Sequence, residues 1–471
     1  MEFFTMLSSL DGGLLILFLF CMATVFIYEF INGFHDTANA VATVIYTKSL
    51  TAKQAVFLSG FLNFAGMALS VYLFGMKVAV KMVQLLPMEK IADMSIHENI
   101  ALVAAVLVSA IIWNFGTWYF GIPCSSSHTM IGSLLGAMVG FFLISGGSIK
   151  DIIDSKPFEK GIEVLEWMLI SPLFGFTIAI VLVYIFTRTL KKKALFKEAN
   201  TNMPPPTGIR ALLIGTCSLV SFFHGSNDGQ KGLGLIMIIL MTFFPLKYAL
   251  KSNFSSNESL KHLSIIEQTI TPKNIDENHY GKTIKLVKDL KNDILLRNDT
   301  TKKGIFLMRK RMTSIQKDLE YTMKEEEVLS KDEKKVLREE VKYLKSYTDG
   351  NPGNALLMMI ALAIGLGTVI GWKRIVVTIG EKIGKTHMTY GQGATAEIVA
   401  ASTIGLSTYF GLPVSTTHVL TSGVAGSMVA TGGTKNLQKN TMTSIVLAWI
   451  LTLPVTIILS LGLYLLFRIF I

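Results

Sequence analysis

The chain has 471 residues, 51% of them hydrophobic and only 16% charged, with 44 Lys+Arg against 33 Asp+Glu and a formal net charge of +11. Soluble globular proteins carry about 25% charged residues, so the composition argues against a large cytosolic enzyme. The charge is also concentrated: 38 of the 77 charged side chains lie in the 100 residues 251–350, which reads as a membrane protein with one polar insert. Outside that insert the basic residues sit in short loops between apolar runs and form no cluster with interleaved aromatics, so no nucleic-acid partner is expected.

Crossing the hydrocarbon of a bilayer takes about 20 apolar residues. The first such stretch, 10–33, has no basic leader before it and is expected to stay in place as a transmembrane helix. It contains Glu29 and closes on Gly33-Phe34-His35-Asp36-Thr37-Ala38-Asn39-Ala40. An ionisable residue in an apolar segment costs several kcal/mol and is a functional candidate for that reason. The glycine and small polar residues around Asp36 predict a broken helix whose freed backbone groups bind ions; the plainer alternative is a helix cap at the membrane surface. Stretches 54–76, with Asn63 inside it, and 99–121 follow, and then comes Gly121-Ile122-Pro123-Cys124-Ser125-Ser126-Ser127-His128. A helix starting after that proline would aim its N-terminal N–H groups, with the hydroxyls of Ser125, Ser126 and Ser127, at an anion; close packing through small residues is the alternative. His128 would touch the anion, relay a proton or simply hold the turn. Stretches 127–146 and 163–187 complete a first membrane repeat over 1–190. The basic linker 191–207, with Lys191, Lys192 and Lys193, marks the cytoplasmic side under the positive-inside rule.

A second membrane repeat starts at 208–250, with apolar stretches 208–225 and 232–249 around Gly225-Ser226-Asn227-Asp228-Gly229-Gln230-Lys231-Gly232. The insert 251–350 has helical periodicity over 282–296 and 315–347 and is expected to form a small helical hairpin. The repeat resumes over 351–471, with stretches 354–372, 394–411 (carrying Glu397), 414–431 and 442–468. Between the second and third of these, Gly411-Leu412-Pro413-Val414-Ser415-Thr416-Thr417-His418 echoes the earlier Pro-Ser motif. Asp36 to Ser125 spans 89 residues and Asp228 to Ser415 spans 187; the excess of 98 matches the insert, so two motifs agree on one duplication. An odd number of spans per half would set the copies in opposite orientations. The expected fold is therefore an all-α polytopic membrane protein with two inverted-topology repeats, broken or re-entrant helices and about 10–12 transmembrane segments, 232–249 being a separate span in the larger count. No Walker A pattern or G-x-S-x-G elbow occurs, and Cys21, Cys124 and Cys217 have no metal-ligand spacing, so neither catalytic residues nor a cofactor are expected.

The quoted motifs resemble the inorganic phosphate transporter (PiT) family, the bacterial low-affinity phosphate permeases in particular, through 31–48, 111–132, 221–235 and 390–426. The resemblance implies secondary symport of inorganic phosphate with H+ or Na+ across the bacterial cytoplasmic (inner) membrane, by a homodimer. The family's Asp/Asn signature falls on Asp36 and Asn39, and on Asn227 and Asp228. Its Pro-Ser/Thr signature falls on Ser125, Ser126 and Ser127, and on Ser415, Thr416 and Thr417. Two residues depart from it: His35 and Lys231 stand where asparagine is usual. An ammonium cannot coordinate Na+, so the expected coupling ion is H+, carried by phosphate itself or by His35, with Na+ as the alternative. Glu29, Glu397, His128 and His418 are further coupling candidates. A divalent metal carried with the phosphate would contact Asp36 and Asp228. The competing readings are a sulfate or other oxyanion permease and, from a different class, a membrane receptor or scaffold with the insert as its output.

Overall fold

The computed structural model describes residues 6–8, 10–91, 94–190, 193–199, 203–248, 250, 254–271, 277–296, 301–325, 329–348, 352–373, 375–376 and 383–471. Lys191 and Lys192 of the basic linker and the side chain of Asn39 lie outside the described set. Among the described residues there is no strand, only two isolated bridges, and the chain divides into two compact units. The first comprises Met1–Leu86, Ile100–Ile236 and Gly353–Ile471, the second Pro87–Asn99 and Met237–Pro352.

The main helices are α1 (Gly12–Tyr46), α2 (Ala52–Phe74), α3 (Ile96–Tyr119), α4 (Ser126–Ile144), α5 (Lys156–Thr189) and α6 (Thr207–Phe243). The polar segment forms α7 (Ser256–Thr269), α8 (Glu277–Leu295), α9 (Lys302–Glu325) and α10 (Lys331–Thr348). Then come α11 (Asn354–Ile370), α12 (Tyr390–Phe410), α13 (Thr416–Gly432) and α14 (Lys439–Phe470). Seven of these, α1 to α6 and α14, are long and apolar enough to cross a membrane. The polar α12 and α13 and the 17-residue α11 account for the rest of the predicted stretches. Helix α13 is buried against protein from Thr416 to Met428, which lets a helix rich in Thr, Ser and Gly lie among membrane helices.

Two expectations are corrected. The Asp36 and Asp228 motifs do not break their helices: α1 and α6 are helical throughout, at 35 and 37 residues, so the predicted 232–249 stretch continues the helix from Thr207 as far as Phe243 and is not a separate span. Glycine there serves close approach instead. A methyl group on Gly33 would overlap the Ile364 backbone on α11, and one on Gly225 would lie 2.6 Å from the Asn63 Cα on α2. The insert is also four helices rather than a hairpin, around Leu263, Ile266, Val287, Leu290, Met308 and Leu344. The predicted 315–347 helix is divided between α9 and α10, and α10 starts where Ser330 and Glu333 cap each other: the Ser330 N–H donates to the Glu333 carboxylate at 2.8 Å, and the Glu333 N–H donates to Ser330 Oγ at 3.2 Å.

The Pro-Ser motifs do interrupt the helix, and in the same way twice. Gly121 and Gly411 adopt left-handed φ values of 68° and 72°, where only glycine is unstrained, and end α3 and α12. Ser125 and Ser415 then cap α4 and α13, each accepting at 3.1 Å from the N–H three residues on. Helix partners are exchanged between the sequence halves. Gly66 of α2 abuts the Phe222 carbonyl of α6, while Gly367 of α11 abuts the Phe30 carbonyl of α1. Likewise Gly136 of α4 abuts Ile457 of α14, and Gly426 of α13 abuts Phe176 of α5.

Candidate functional site

Helical spacing lines up the ionisable residues before any tertiary contact forms. Glu29, Asn32 and Asp36 fall on one face of α1, and His224, Asp228 and Lys231 on one face of α6. The first turns of α4 and α13 meet these faces. Every described side chain of the resulting cluster is 3% exposed or less.

Asp36 accepts from Thr417 Oγ1 at 2.6 Å through Oδ1 and from Ser126 Oγ at 2.8 Å through Oδ2; Ser126 Oγ also lies 3.4 Å from Asp228 Oδ2. The two aspartates, one from each half of the sequence, therefore share a hydroxyl. Lys231 Nζ donates to Asp228 Oδ1 at 2.6 Å, to the Val414 carbonyl at 3.0 Å and to Ser127 Oγ. Ser127 Oγ in turn donates to the Val414 carbonyl at 2.9 Å. Thus three of the hydroxyls expected to face an anion, those of Ser126, Ser127 and Thr417, are engaged here by carboxylates and an ammonium.

Sequence reasoning missed His224. Its Nε2 lies 3.7 Å from Asp36 Oδ2 and 3.6 Å from Asp228 Oδ2, and the three ligand atoms lie within 4.8 Å of one another. Asn63 fixes the ring: its amide nitrogen donates to Thr368 Oγ1 at 2.9 Å, so its oxygen, 2.8 Å from His224 Nδ1, must accept from that nitrogen. In the neutral ring the Nε2 lone pair then points at two carboxylates, a conflict that a proton or a metal cation between them removes. The signal was present: His224 stands one helical turn before Asp228 in an apolar stretch, at the position that Asn32 holds before Asp36.

The other candidates divide. His35 reaches Asp36 with Nδ1 at 3.3 Å and Thr117 Oγ1 with Nε2 at 3.3 Å, while Cys124 Sγ lies 3.5 Å from Nε2. Asn227 donates to Thr408 Oγ1 at 3.0 Å and to the Leu412 carbonyl at 3.2 Å, bracing the α12–α13 turn rather than facing the aspartates. Ser125 and Ser415 serve as caps, and Thr416 is buried in the first turn of α13. His128 and His418 pack against each other with tilted rings, centres 4.4 Å apart, and His418 stacks on Trp449 at 4.0 Å. Glu397 is bonded to Thr216 and stands apart from the cluster, whereas Glu29 lies against Gly232 beside it.

The low-affinity inorganic phosphate transporters PitA and PitB of Escherichia coli K12 are each 36% identical to the chain. The PitA match covers 97% of the chain and 98% of PitA, and the PitB match 95% and 96%. The low-affinity inorganic phosphate transporter of Buchnera aphidicola from Acyrthosiphon pisum is 37% identical, with 97% of each chain covered. A solved structure described as the sodium-dependent phosphate transporter shares the fold, with a TM-score of 0.53 at 19% identity over 97% of this chain and 100% of that one. With residues 32–460 matching the phosphate transporter family, the chain belongs to that family.

Proposed function

We propose that this phosphate transporter is a secondary symporter that imports inorganic phosphate with protons across the bacterial cytoplasmic membrane, as a homodimer built on two inverted repeats. Lys231 carries the reading. Its ammonium takes a carboxylate, a hydroxyl and a backbone carbonyl, the oxygen types that hold a hard cation. A tethered charge fills such a place without travelling through the membrane, so it removes the need for one co-transported metal ion and leaves the proton as the driving ion. The exchanged helix partners support the inverted repeats: Phe30 and Phe222 stand six residues before the two aspartates, and each packs on a glycine of the other half.

Phosphate would be held by the first-turn N–H groups of α4 and α13 and by Lys231, with Ser126, Ser127 and Thr417 exchanging their present acceptors for it. His224 favours cargo in the form of a divalent metal–phosphate complex. Two carboxylates and an imidazole whose far nitrogen is already committed to Asn63 suit a first-row divalent ion. Phosphate uptake into proteoliposomes tests both parts. Uptake should be insensitive to Na+, rise with an inward proton gradient and collapse with a protonophore, and Lys231→Asn should lower it or make it Na+-dependent. Strict Na+ dependence of the unaltered protein refutes the coupling. Equal uptake of free phosphate after metal chelation refutes the metal–phosphate cargo.

A further inference from the structure

One buried carboxyl beside the site has no role in the binding just described. Glu29 is wholly buried on the same face of α1 as Asp36, two turns earlier. Among the described residues, its Oε2 receives only the Asn32 amide, at 3.5 Å, and its Oε1 has no hydrogen-bond partner. Helix α6 makes room for it at Gly232, where a Cβ would lie 2.5 Å from Glu29 Cδ and 2.7 Å from Cγ. Gly232 directly follows Lys231. The charged groups acting on the Glu29 carboxyl are Asp228, Lys231 and His224, all from α6, and its own helix adds Tyr28, whose hydroxyl donates to the Ser126 carbonyl at 3.3 Å.

A carboxylate shut inside a membrane protein without a counter-charge is far costlier than the neutral acid. The Lys231 ammonium, the one at hand among the described residues, is committed to Asp228. We propose that Glu29 carries the coupling proton, and that it does so by competing with Asp228 for the ammonium of Lys231. With the proton on Glu29, Lys231 stays on Asp228, as in this structure. When the proton leaves, the carboxylate draws the ammonium one turn along α6 and loosens its hold on Asp228, Ser127 and the phosphate between them. Each cycle then takes a proton from the side where phosphate enters and returns it to the side where phosphate leaves. This inference rests on proton coupling, and its test separates the two.

In proteoliposomes, Glu29→Gln should keep phosphate–phosphate exchange while losing accumulation driven by a proton gradient and the proton influx that accompanies it. Accumulation by Glu29→Gln equal to that of the unaltered protein overturns the assignment. So does loss of exchange in a variant that still melts as the unaltered protein does, because Glu29 would then serve binding. Should Glu29→Gln fail to fold, Gly232→Ala keeps the carboxyl but pushes it from its seat; it should lower the number of protons moved per phosphate, and an unchanged ratio overturns the proposal. If the unaltered protein ignores the proton gradient, proton coupling itself fails, whereas a coupled unaltered protein with an equally coupled Glu29→Gln sinks only the role of Glu29.

Discussion

Asp36 and Asp228 differ in what neutralises them. Asp36 accepts from the hydroxyls of Ser126 and Thr417 and has the titratable His35 ring 3.3 Å away, whereas Asp228 holds the fixed Lys231 ammonium. Replacing either by asparagine keeps the shape but removes an acceptor-only charge that cations and protonated phosphate need. Asp36→Asn and Asp228→Asn should each abolish uptake in proteoliposomes, with a normal elution profile in detergent; normal uptake by both would place the substrate elsewhere. Asp228→Asn also leaves the Lys231 charge without its counter-ion, so it should lower the melting temperature more than Asp36→Asn does. Ser126→Ala deletes a single hydroxyl and should weaken apparent phosphate affinity by about 0.5–1.5 kcal/mol, roughly two- to tenfold, with little change in the maximal rate. An unaltered half-saturation constant would show that this hydroxyl serves only the aspartates.

The helices are arranged to bring these side chains together at short range. Gly225 is the point at which α6 touches the Asn63 backbone, and Asn63 is the residue that orients His224. Gly225→Ala should therefore separate the two helices and cost both folded yield and activity. Gly215→Ala, ten residues earlier on the same helix, meets nothing within 4 Å and should be neutral or stabilise by up to about 1 kcal/mol through helix propensity. Yields from size-exclusion chromatography compare the two directly. Similar losses at both positions would mean that close approach at Gly225 is not what sets the cost. The capping serines act at the same scale: Ser125→Ala or Ser415→Ala should lower stability by about 1 kcal/mol, read as a fall in melting temperature.

At the scale of the whole molecule, the polar segment has a core of its own. Besides its apolar interior, His262 stacks on Tyr343 with ring centres 3.5 Å apart and reaches the Glu340 carboxylate at 2.7 Å, tying α7 to α10. All residues of the candidate site lie in the other unit, on α1, α4, α6 and α13 with the Val414 carbonyl. Replacing residues 253–348 by a short Gly/Ser linker should leave substantial phosphate flux in proteoliposomes. Loss of flux with the membrane helices intact would instead make the segment part of the transport cycle.

Much of this was legible in the sequence because it depends on local chemistry. Apolar stretches of spanning length announce membrane helices wherever they fall. Gly-Leu-Pro-Val-Ser-Thr-Thr and its partner stop and restart a helix through backbone rules that need no third element: the left-handed glycine, the missing proline N–H and the serine cap. Repetition of both motifs pointed to the residues that converge, Asp36, Asp228, Ser126, Ser127 and Thr417. Tertiary structure decided the rest. Gly33 and Gly225 read locally as helix breakers, yet the helix runs through them because a neighbouring backbone packs where a Cβ would stand, and only the folded chain supplies that backbone. Likewise, nothing in the residues around His224 says that Asn63 will take its Nδ1, nor that Lys231 will reach across to Ser127 and Val414, 104 and 183 residues away. A hydrogen bond over such distances exists only once the helices have packed, so the partners that give a buried charge its role are set by the fold.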